Sequence, residues 1–256
     1  MTQAAINTAK ARMLAGQPAL GAVAALGSPL AAELLARAGF DFVVLDCQHG
    51  NWDEDSALAG FRAVSLGGAI PMARVRQNDF YAIGRLLDRG ALGVIVPLVN
   101  SAEEARAAAQ AARYPPRGGR SWGPFLASHL GPSYGDWADD EIFLAVQIES
   151  AQAVEQAEAI MAVDGVDGCW VGPKDLARSM GVDVSSPAGR QAHAAAILQV
   201  LAACRNTHKI AGIDASSEAN ARRWLDPGFQ FVTVNRDARL LSDGGQAVLK
   251  ELGRAD

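Results

Sequence analysis

The feature that most constrains the fold is a regular alternation of short apolar runs with amphipathic, alanine-rich segments. Each run has the length of a single strand, and each following segment has the period of a helix. Strands that are apolar almost throughout and separated by helices indicate a parallel sheet covered by helices. In chain order, the runs are LGAVAAL, FVVLD, IPMARV, LGVIVPLV, IFLAVQIE, VDGCWVG, KIAGIDA and FQFVTVN.

Eight such units in a chain of 256 residues favour a closed (β/α)8 barrel. The alternative is an open, doubly wound sheet, which would bind a dinucleotide at a G-x-G turn. No two glycines of the chain stand at that spacing. We therefore predict an α/β fold of the TIM-barrel type, with residues 1–256 forming one domain.

Composition and charge favour a cytoplasmic protein that acts on small molecules. The formal charge of -5 does not fit a nucleic-acid partner, which would require a basic surface. No stretch approaches the roughly 18 apolar residues of a membrane span, and the amino-terminal residues lack the apolar centre of a secretion signal. Cys47, Cys169 and Cys204 show no C-x-x-C spacing, so neither a disulfide framework nor a thiolate zinc site is predicted.

Residues 114–139 interrupt the alternation between the fourth and fifth strands. This segment, YPPRGGRSWGPFLASHLGPSYGDWAD, shows no helical period and is expected to be functional, mobile or an ordered surface loop. It contains GRSWG, which matches the G-x-S-x-G motif of serine hydrolases. That motif needs a strand before it and a helix after it, and YPPRG and Pro124 supply neither. Ser121 is therefore expected to be a polar pocket residue.

Polar residues follow several of the predicted strands, where barrel enzymes carry their catalytic side chains. Glu149 and Asp175 offer oxygen ligands to Mg²⁺, Mn²⁺ or Co²⁺, or else are acids that favour the start of a helix. Arg74 could hold a carboxylate or an oxyanion, or form a structural salt bridge. His49 could be a general base or a hydrogen-bonded loop residue. His193 lies in an alanine-rich helix and is not expected at the site.

Several segments, taken together and in order, resemble one enzyme family. They are AELLARAGFDFVVLDCQHG, LLDRGALGVIVPLVNSAEEARAAAQAARYPPRGGRSWGP, VQIES and VDGVDGCWVGPKDLARSMG. They are similar to the HpcH/HpaI family of class II, metal-dependent pyruvate aldolases, and the likeness covers residues 20–235. The resemblance implies a (β/α)8 barrel, commonly a hexamer with an exchanged carboxyl-terminal helix. It also implies a divalent metal cation, an α-keto acid and an aldehyde.

The resemblance assigns a metal site and catalytic groups to individual positions. Glu149 and Asp175 correspond to the metal ligands. Arg74 corresponds to the guanidinium that holds the keto or enolate oxygen. His49 corresponds to the general base, and Asp46 to its neighbour.

The same resemblance implies groups that position the substrate. Gln147 corresponds to an amide that positions substrate or water, and Asp88 to an acid that partners the histidine from an adjacent subunit. The backbone of Gly172, Pro173 and Lys174 would receive the carboxylate of the keto acid, because amides at a helix start favour anions.

Two positions leave the substrates open. Gln48 resembles the branch of the family that handles hydroxypyruvate as well as pyruvate. Asp214 stands where an aliphatic or aromatic residue is usual, and we hypothesise that it favours polar, hydroxylated or cationic aldehydes. The alternatives to an aldolase are a carbon-carbon lyase acting on acyl-CoA esters and a barrel that only binds carboxylates.

Overall fold

The computed structural model describes residues 6–131 and 133–254. Within those residues, eight parallel strands form a closed barrel, in which each strand pairs with its neighbours in sequence and β8 pairs with β1. The strands coincide with the eight apolar runs, so the predicted (β/α)8 barrel is confirmed. They are β1 (Ala19–Ala24), β2 (Phe42–Asp46), β3 (Ile70–Arg74), β4 (Gly93–Val96), β5 (Phe143–Ile148), β6 (Gly168–Val171), β7 (Gly212–Asp214) and β8 (Phe231–Arg236).

Helices cover the outside of the barrel, and none of the described helices is long and apolar enough to cross a membrane. Many helices begin at a Ser or Asp whose side chain accepts a hydrogen bond from a backbone N–H of the first turn. These caps define where the loop between a strand and the next helix ends. The helices are α1 (Thr8–Leu14), α2 (Pro29–Arg37), α3 (Glu54–Gly67), α4 (Phe80–Asp88), α5 (Ala102–Ala112), α6 (Tyr134–Glu141), α7 (Ala151–Glu155), α8 (Ala157–Met161), α9 (Pro173–Ser179), α10 (Pro187–Asn206), α11 (Glu218–Leu225) and α12 (Asp237–Glu251).

Two helices, α9 and α10, connect β6 to β7, although the sequence pattern indicated a single helical segment. Gly181 ends α9 in the left-handed conformation with φ of 64°, which glycine adopts without steric cost. Ser186 then caps α10, and Pro187 occupies its first turn.

Apolar side chains and α1 close the amino-terminal end of the barrel. Met13 of α1 is buried in the same cluster as three phenylalanines from the strands. Phe231 stacks on Phe42 with 4.6 Å between ring centroids and meets the edge of Phe143 at 4.9 Å. Among the described residues, this end of the barrel is therefore filled by apolar side chains.

A buried cluster of charges anchors α1 to the starts of β5 and β6. Lys10 Nζ lies 2.8 Å from Asp167 Oδ1, and Arg113 Nη2 lies 2.5 Å from Asp167 Oδ2. Burial lowers the pKa of Lys10 although Asp167 opposes the effect. The other N–H groups of Arg113 donate to backbone carbonyls, those of Asp139, Ile142 and Gly165.

Residues 114–139 lie between the end of α5 and the start of β5, on the side of the barrel opposite the strand ends. The segment contains a 3-10 helix (Pro124–Leu130) and most of α6, whose few turns are too short to show a period in the sequence. Arg120 connects this segment to α4 and to Tyr114. Its Nη2 donates to Asp88 Oδ1 at 2.6 Å, and its guanidinium lies over the ring of Tyr114. No strand precedes Ser121, so the nucleophile elbow of a hydrolase is not formed.

The last helix, α12, packs differently from the others. Asp237 is its buried residue, and the remaining described positions face outward. Its apolar side chains include Leu241 at 73% and Val248 at 57% exposure. A helix with an uncovered apolar face of this kind is expected to lie against another surface.

Candidate active site

The carboxyl-terminal ends of the strands bring most of the predicted site residues to one mouth of the barrel. Asp46, Arg74 and Asp214 are the last or nearly the last residues of their strands, and Glu149 follows β5 directly. His49 lies in the turn after β2, while Gly172 to Asp175 join β6 to α9. A closed parallel barrel places all of these positions at the same end.

Arg74 and Asp46 form a buried, two-pronged ion pair at the ends of β2 and β3. Arg74 Nε donates to Asp46 Oδ1 at 2.9 Å, and Nη2 donates to Oδ2 at 2.5 Å. Among the described residues, Nη1 of Arg74 has no hydrogen-bond partner. The two side chains are paired because β2 and β3 align residue by residue up to this point. Asp46 thus fixes the guanidinium and leaves one of its edges for a ligand.

The same carboxylate shapes the turn that carries His49. Asp46 Oδ1 accepts hydrogen bonds from the backbone N–H groups of Gln48 and His49, each at 3.2 Å. Burial would raise the pKa of Asp46, but the hydrogen bonds from Arg74 and from this turn outweigh burial and lower it. The imidazole of His49 is exposed and has no partner in the described residues. It is therefore free to meet a substrate, a water or a second chain.

Glu149 and Gln147 form the other wall of the mouth. Gln147 Nε2 donates to Glu149 Oε2 at 2.5 Å, and Gln147 Oε1 is a buried acceptor for which no described residue supplies a donor. A side chain at position 172 would collide with both residues, because an added Cβ would lie 2.9 Å from Gln147 Nε2 and 3.0 Å from Glu149 Oε2. Glycine at this position keeps the carboxylate and amide accessible.

The amide of Leu98 is a further contact with Glu149. Its N–H donates to Glu149 Oε1 at 3.0 Å. Leu98 has a φ of 56°, which is uncommon for a residue with a side chain, and its side chain is largely exposed. A backbone N–H of the loop after β4 therefore holds one oxygen of this carboxylate, and the side chain of Gln147 holds the other.

Glu149 and Asp175, the predicted metal ligands, both lie at this mouth. Burial raises the pKa of Glu149, and the charge of Asp175 adds to the effect against the hydrogen bond from Leu98. In the described part of the chain, no group of three or more His, Cys, Asp or Glu side chains is arranged to hold a metal ion. A cation would thus have two protein carboxylates and would complete its coordination with water or substrate oxygens. This donor set fits Mg²⁺, Mn²⁺ or Co²⁺.

A chain of contacts crosses the floor of the mouth from Arg74 to the rim. The guanidinium of Arg74 lies 5.4 Å from the ring centroid of Trp170, whose Nε1 donates to Thr233 Oγ1 at 3.3 Å. Thr233 in turn donates to Asp214 Oδ1 at 3.0 Å. Arg236 Nη2 lies 3.5 Å from Asp214 Oδ2.

These contacts revise the expectation for Asp214. Its carboxylate already accepts from the hydroxyls of Thr233 and Ser216 and faces the guanidinium of Arg236. Because the negative charge is balanced inside the protein, Asp214 does not present a free anion to a cationic aldehyde. Arg236, whose side chain is 37% exposed, is a positively charged group at this rim.

The helix start after β6 offers fewer free amides than expected. The N–H of Gly172 donates to the carbonyl of Ile148 at 3.1 Å, and Pro173 has no N–H. The amides of Lys174 and Asp175, in the first turn of α9, remain for a carboxylate. If backbone amides bind the carboxylate of the keto acid here, the available ones are those of Lys174 and Asp175.

Two predicted residues lie away from this mouth within the chain. Asp88 ends α4, which runs back toward the amino-terminal end of the barrel, and there it pairs with Arg120. Ser121 follows Arg120 and is exposed. Neither residue meets His49 in the same chain, so a role for either at the mouth stays a prediction that needs a second copy.

Four contributors to the site were not expected from the sequence. In the sequence, Trp170 and Thr233 lie in strand-like runs and are expected in the core. Arg236 is expected at the start of the last helix. Leu98 acts through its backbone, which leaves no signal in the residue type. A polar residue at the end of β8 could have pointed to Arg236, by the rule that indicated Arg74.

Comparisons with known proteins identify the family of the chain. The sequence pattern described as HpcH/HpaI aldolase/citrate lyase matches residues 22–243. A 4-hydroxy-2-oxo-heptane-1,7-dioate aldolase of Escherichia coli is 37% identical over 254 residues, which cover 96% of this chain and 95% of the relative.

Solved structures give the same result. An HpcH/HpaI aldolase/citrate lyase family protein of Burkholderia cenocepacia J2315 superposes with a TM-score of 0.87 at 30% identity, covering 96% of this chain and 99% of that one. The HpcH/HpaI aldolase of Desulfitobacterium hafniense DCB-2 gives 0.86 at 28% identity, with coverage of 96% and 97%. The chain therefore belongs to the HpcH/HpaI aldolase/citrate lyase family.

Proposed function

We propose that this protein is a divalent-metal-dependent aldolase that cleaves or forms hydroxy keto acids from an aldehyde and pyruvate or hydroxypyruvate. The observation that carries the proposal is a buried, oriented guanidinium, that of Arg74, at the same mouth as the carboxylates of Glu149 and Asp175. The aldolase name of the Escherichia coli relative supports the same reaction class. The reaction would take place in the cytoplasm, where the free thiols of the chain stay reduced.

Glu149 and Asp175 would hold the cation, and oxygen donors of this kind suit Mg²⁺, Mn²⁺ or Co²⁺. When bound, the cation supplies Lewis-acid stabilisation of negative charge on the substrate oxygens. Gln147 would support the site in two ways. Its Nε2 holds Glu149, and its Oε1 can accept a hydrogen bond from a water or a substrate hydroxyl. The amides of Lys174 and Asp175 would receive the carboxylate of the keto acid.

Arg74 would bind the keto oxygen and stabilise the negative charge that develops there as the carbon-carbon bond breaks. Asp46 would act as a positioning residue, because it holds the guanidinium through two hydrogen bonds. The Trp170 ring supports the face of the guanidinium. The guanidinium is thus fixed before the substrate arrives.

His49 would move the proton of the aldol hydroxyl, directly or through a water. Its exposed imidazole needs an orienting partner, and Asp88 of a second copy would supply one. We extend the proposal to a homo-oligomer, expected as a hexamer in which α12 is exchanged. The uncovered apolar face of α12 supports this assembly. Light scattering on the purified protein should give the mass of a hexamer, and a monomer would contradict it.

Exchange of solvent deuterium into the methyl group of pyruvate tests the proposal. Nuclear magnetic resonance should detect exchange in the presence of Mg²⁺, Mn²⁺ or Co²⁺ and its loss after addition of a chelator. Glu149→Ala should abolish the exchange and His49→Ala should weaken it, while Glu155→Ala on the exposed part of α7 serves as the matched control. Exchange of the C3 hydrogens of hydroxypyruvate, measured in the same way, compares the two donors.

The result also separates the alternatives. Absence of exchange with every divalent metal would contradict the aldolase and point to a binding protein or to another substrate class, such as acyl-CoA esters. Exchange that survives Glu149→Ala would contradict the assignment of the cation site.

A further inference from the structure

A cavity of about 540 Å³ lies beside the mouth, between α9, the start of α10 and α11. Lys174 after β6 and Asp214 at the end of β7 line it, and both positions also border the mouth. Its size is in the range of ligand pockets. In the proposed reaction, Arg74 binds the keto acid, and Glu149 and Asp175 hold the cation. No step of that reaction uses this cavity.

The lining of the cavity combines apolar surface with positive charge. Apolar side chains of the three helices form part of its wall, among them Ala177, Ile197 and Trp224. The described cationic side chains that line it come from three different helices; they are Lys174, Arg178, Arg190 and Arg223.

The acidic side chains of the lining are engaged elsewhere. Asp214 is balanced by Arg236 and by hydroxyl groups, as described above. Asp183 accepts hydrogen bonds from the backbone N–H and the hydroxyl of Ser185, both at 2.8 Å. Asp214 is therefore paired with Arg236, which does not line the cavity, whereas Asp183 is held by its own loop and its charge also interacts with that of Arg190.

The cations, in contrast, are largely without acidic partners. Within the described residues, Lys174, Arg190 and Arg223 form no ion pair. Arg190 is held by the backbone carbonyls of residues 184 and 185, and Arg223 lies over the ring of Trp224 at 4.8 Å. Arg178 has one carboxylate nearby, that of Asp175 at 3.5 Å. The described lining thus has four cationic side chains against two acidic ones, and the guanidinium groups of Arg190 and Arg223 are held in place, an arrangement that recognises anions.

We propose that this cavity is a subsite for a phosphate group at the far end of the acceptor aldehyde. The inference rests on the proposed aldolase function and names its acceptor class. A doubly charged phosphate matches cations converging from three helices better than a single carboxylate, and the apolar wall suits a short carbon chain. The aldehyde carbon would lie at the mouth, with its phosphate directed toward α10 and α11.

Kinetics with matched acceptors test the subsite. For the aldol addition of pyruvate, kcat/KM should be higher with glyceraldehyde 3-phosphate than with glyceraldehyde or succinic semialdehyde. Removing two of the cations in Arg190→Gln/Arg223→Gln should lower kcat/KM for the phosphorylated aldehyde by roughly tenfold or more, while the value for glyceraldehyde changes less than about twofold. The matched control is Arg222→Gln, on the same helix but outside the lining.

A binding measurement separates the subsite from the reaction. Isothermal titration calorimetry with glycerol 3-phosphate, without pyruvate or added metal, should show binding that weakens at least about tenfold in the double variant and not in Arg222→Gln. Failure of the aldolase function would appear as no turnover with any acceptor and would leave this titration readable.

Two results would overturn the subsite. One is equal binding of glycerol 3-phosphate by the wild-type protein and the double variant. The other is a kcat/KM for succinic semialdehyde that equals or exceeds the value for the phosphorylated aldehyde, which would assign the cavity to carboxylates instead.

Discussion

Each end of the barrel contains a buried Arg–Asp pair, and the two pairs differ in what their hydrogen-bonding groups do. At the amino-terminal end, every N–H of Arg113 has a protein acceptor, and Asp167 also accepts from Lys10 and from the amide of Leu144. At the carboxyl-terminal end, Arg74 donates to Asp46 alone among the described residues. The first pair is complete within the fold, whereas the second retains capacity for a ligand.

The difference teaches how to tell a structural ion pair from a functional one. Both arginines are buried, so burial does not separate them. What separates the two ends is the presence of unused donors and acceptors. At the mouth, Nη1 of Arg74 and Oε1 of Gln147 have no partner among the described residues. Leaving a buried polar group unpaired costs about 1–3 kcal/mol, which a fold is expected to tolerate where a substrate completes the contact.

The largest expected effect is on stability, at the amino-terminal end. Arg113→Met keeps most of the side-chain volume but leaves the backbone carbonyls of Asp139 and Gly165 without donors, and it removes positive charge beside Asp167. We expect the free energy of unfolding to fall by about 3–5 kcal/mol. Urea denaturation measures it, and the folded fraction should keep its kcat. A variant as stable as the wild type would remove the contrast between the two ends.

Arg74→Lys should affect the reaction instead. A lysine can keep one contact with Asp46 but cannot hold the carboxylate at two points and present a further N–H to the substrate. We expect kcat to fall by roughly 10²- to 10³-fold, the usual loss for one preorganised donor.

The control for Arg74→Lys is its melting temperature, which should stay close to that of the wild type. A large loss of stability with activity retained would assign Arg74 to the same structural class as Arg113.

The smallest expected effect is the dependence of stability on pH at the mouth. The pKa of Asp46 is lowered in the folded protein, so its stabilising contribution is complete above its ordinary pKa of 3.8 and is lost as the pH falls toward the lower folded value. Asp46→Asn should therefore cost about 1–3 kcal/mol at pH 7 and progressively less below about pH 4.

Thermal unfolding of both proteins across this pH range measures that difference. A gap between wild type and Asp46→Asn that stays constant down to pH 3 would show that the charge of Asp46 does not stabilise Arg74.

The sequence predicted the barrel because parallel strands buried on both faces are apolar throughout, which is a local signal. It also predicted Asp46, Arg74 and Glu149 at the mouth, because a polar residue that ends such a strand stands out. Trp170 carries no such signal, since an aromatic residue in a strand is ordinary core. The pairing of Asp88 with Arg120 depends on how a long loop folds back, which no periodicity encodes.

Leu98 has a consequence for how this site tolerates substitution. Its contribution to Glu149 is a backbone N–H, presented by a left-handed residue whose side chain points largely into solvent. A mutational scan that exchanges side chains would pass over this position as neutral. Proline would delete the N–H, whereas glycine would keep it and relieve the conformation. Redesign of the loop after β4 must therefore preserve a backbone shape more than a residue identity.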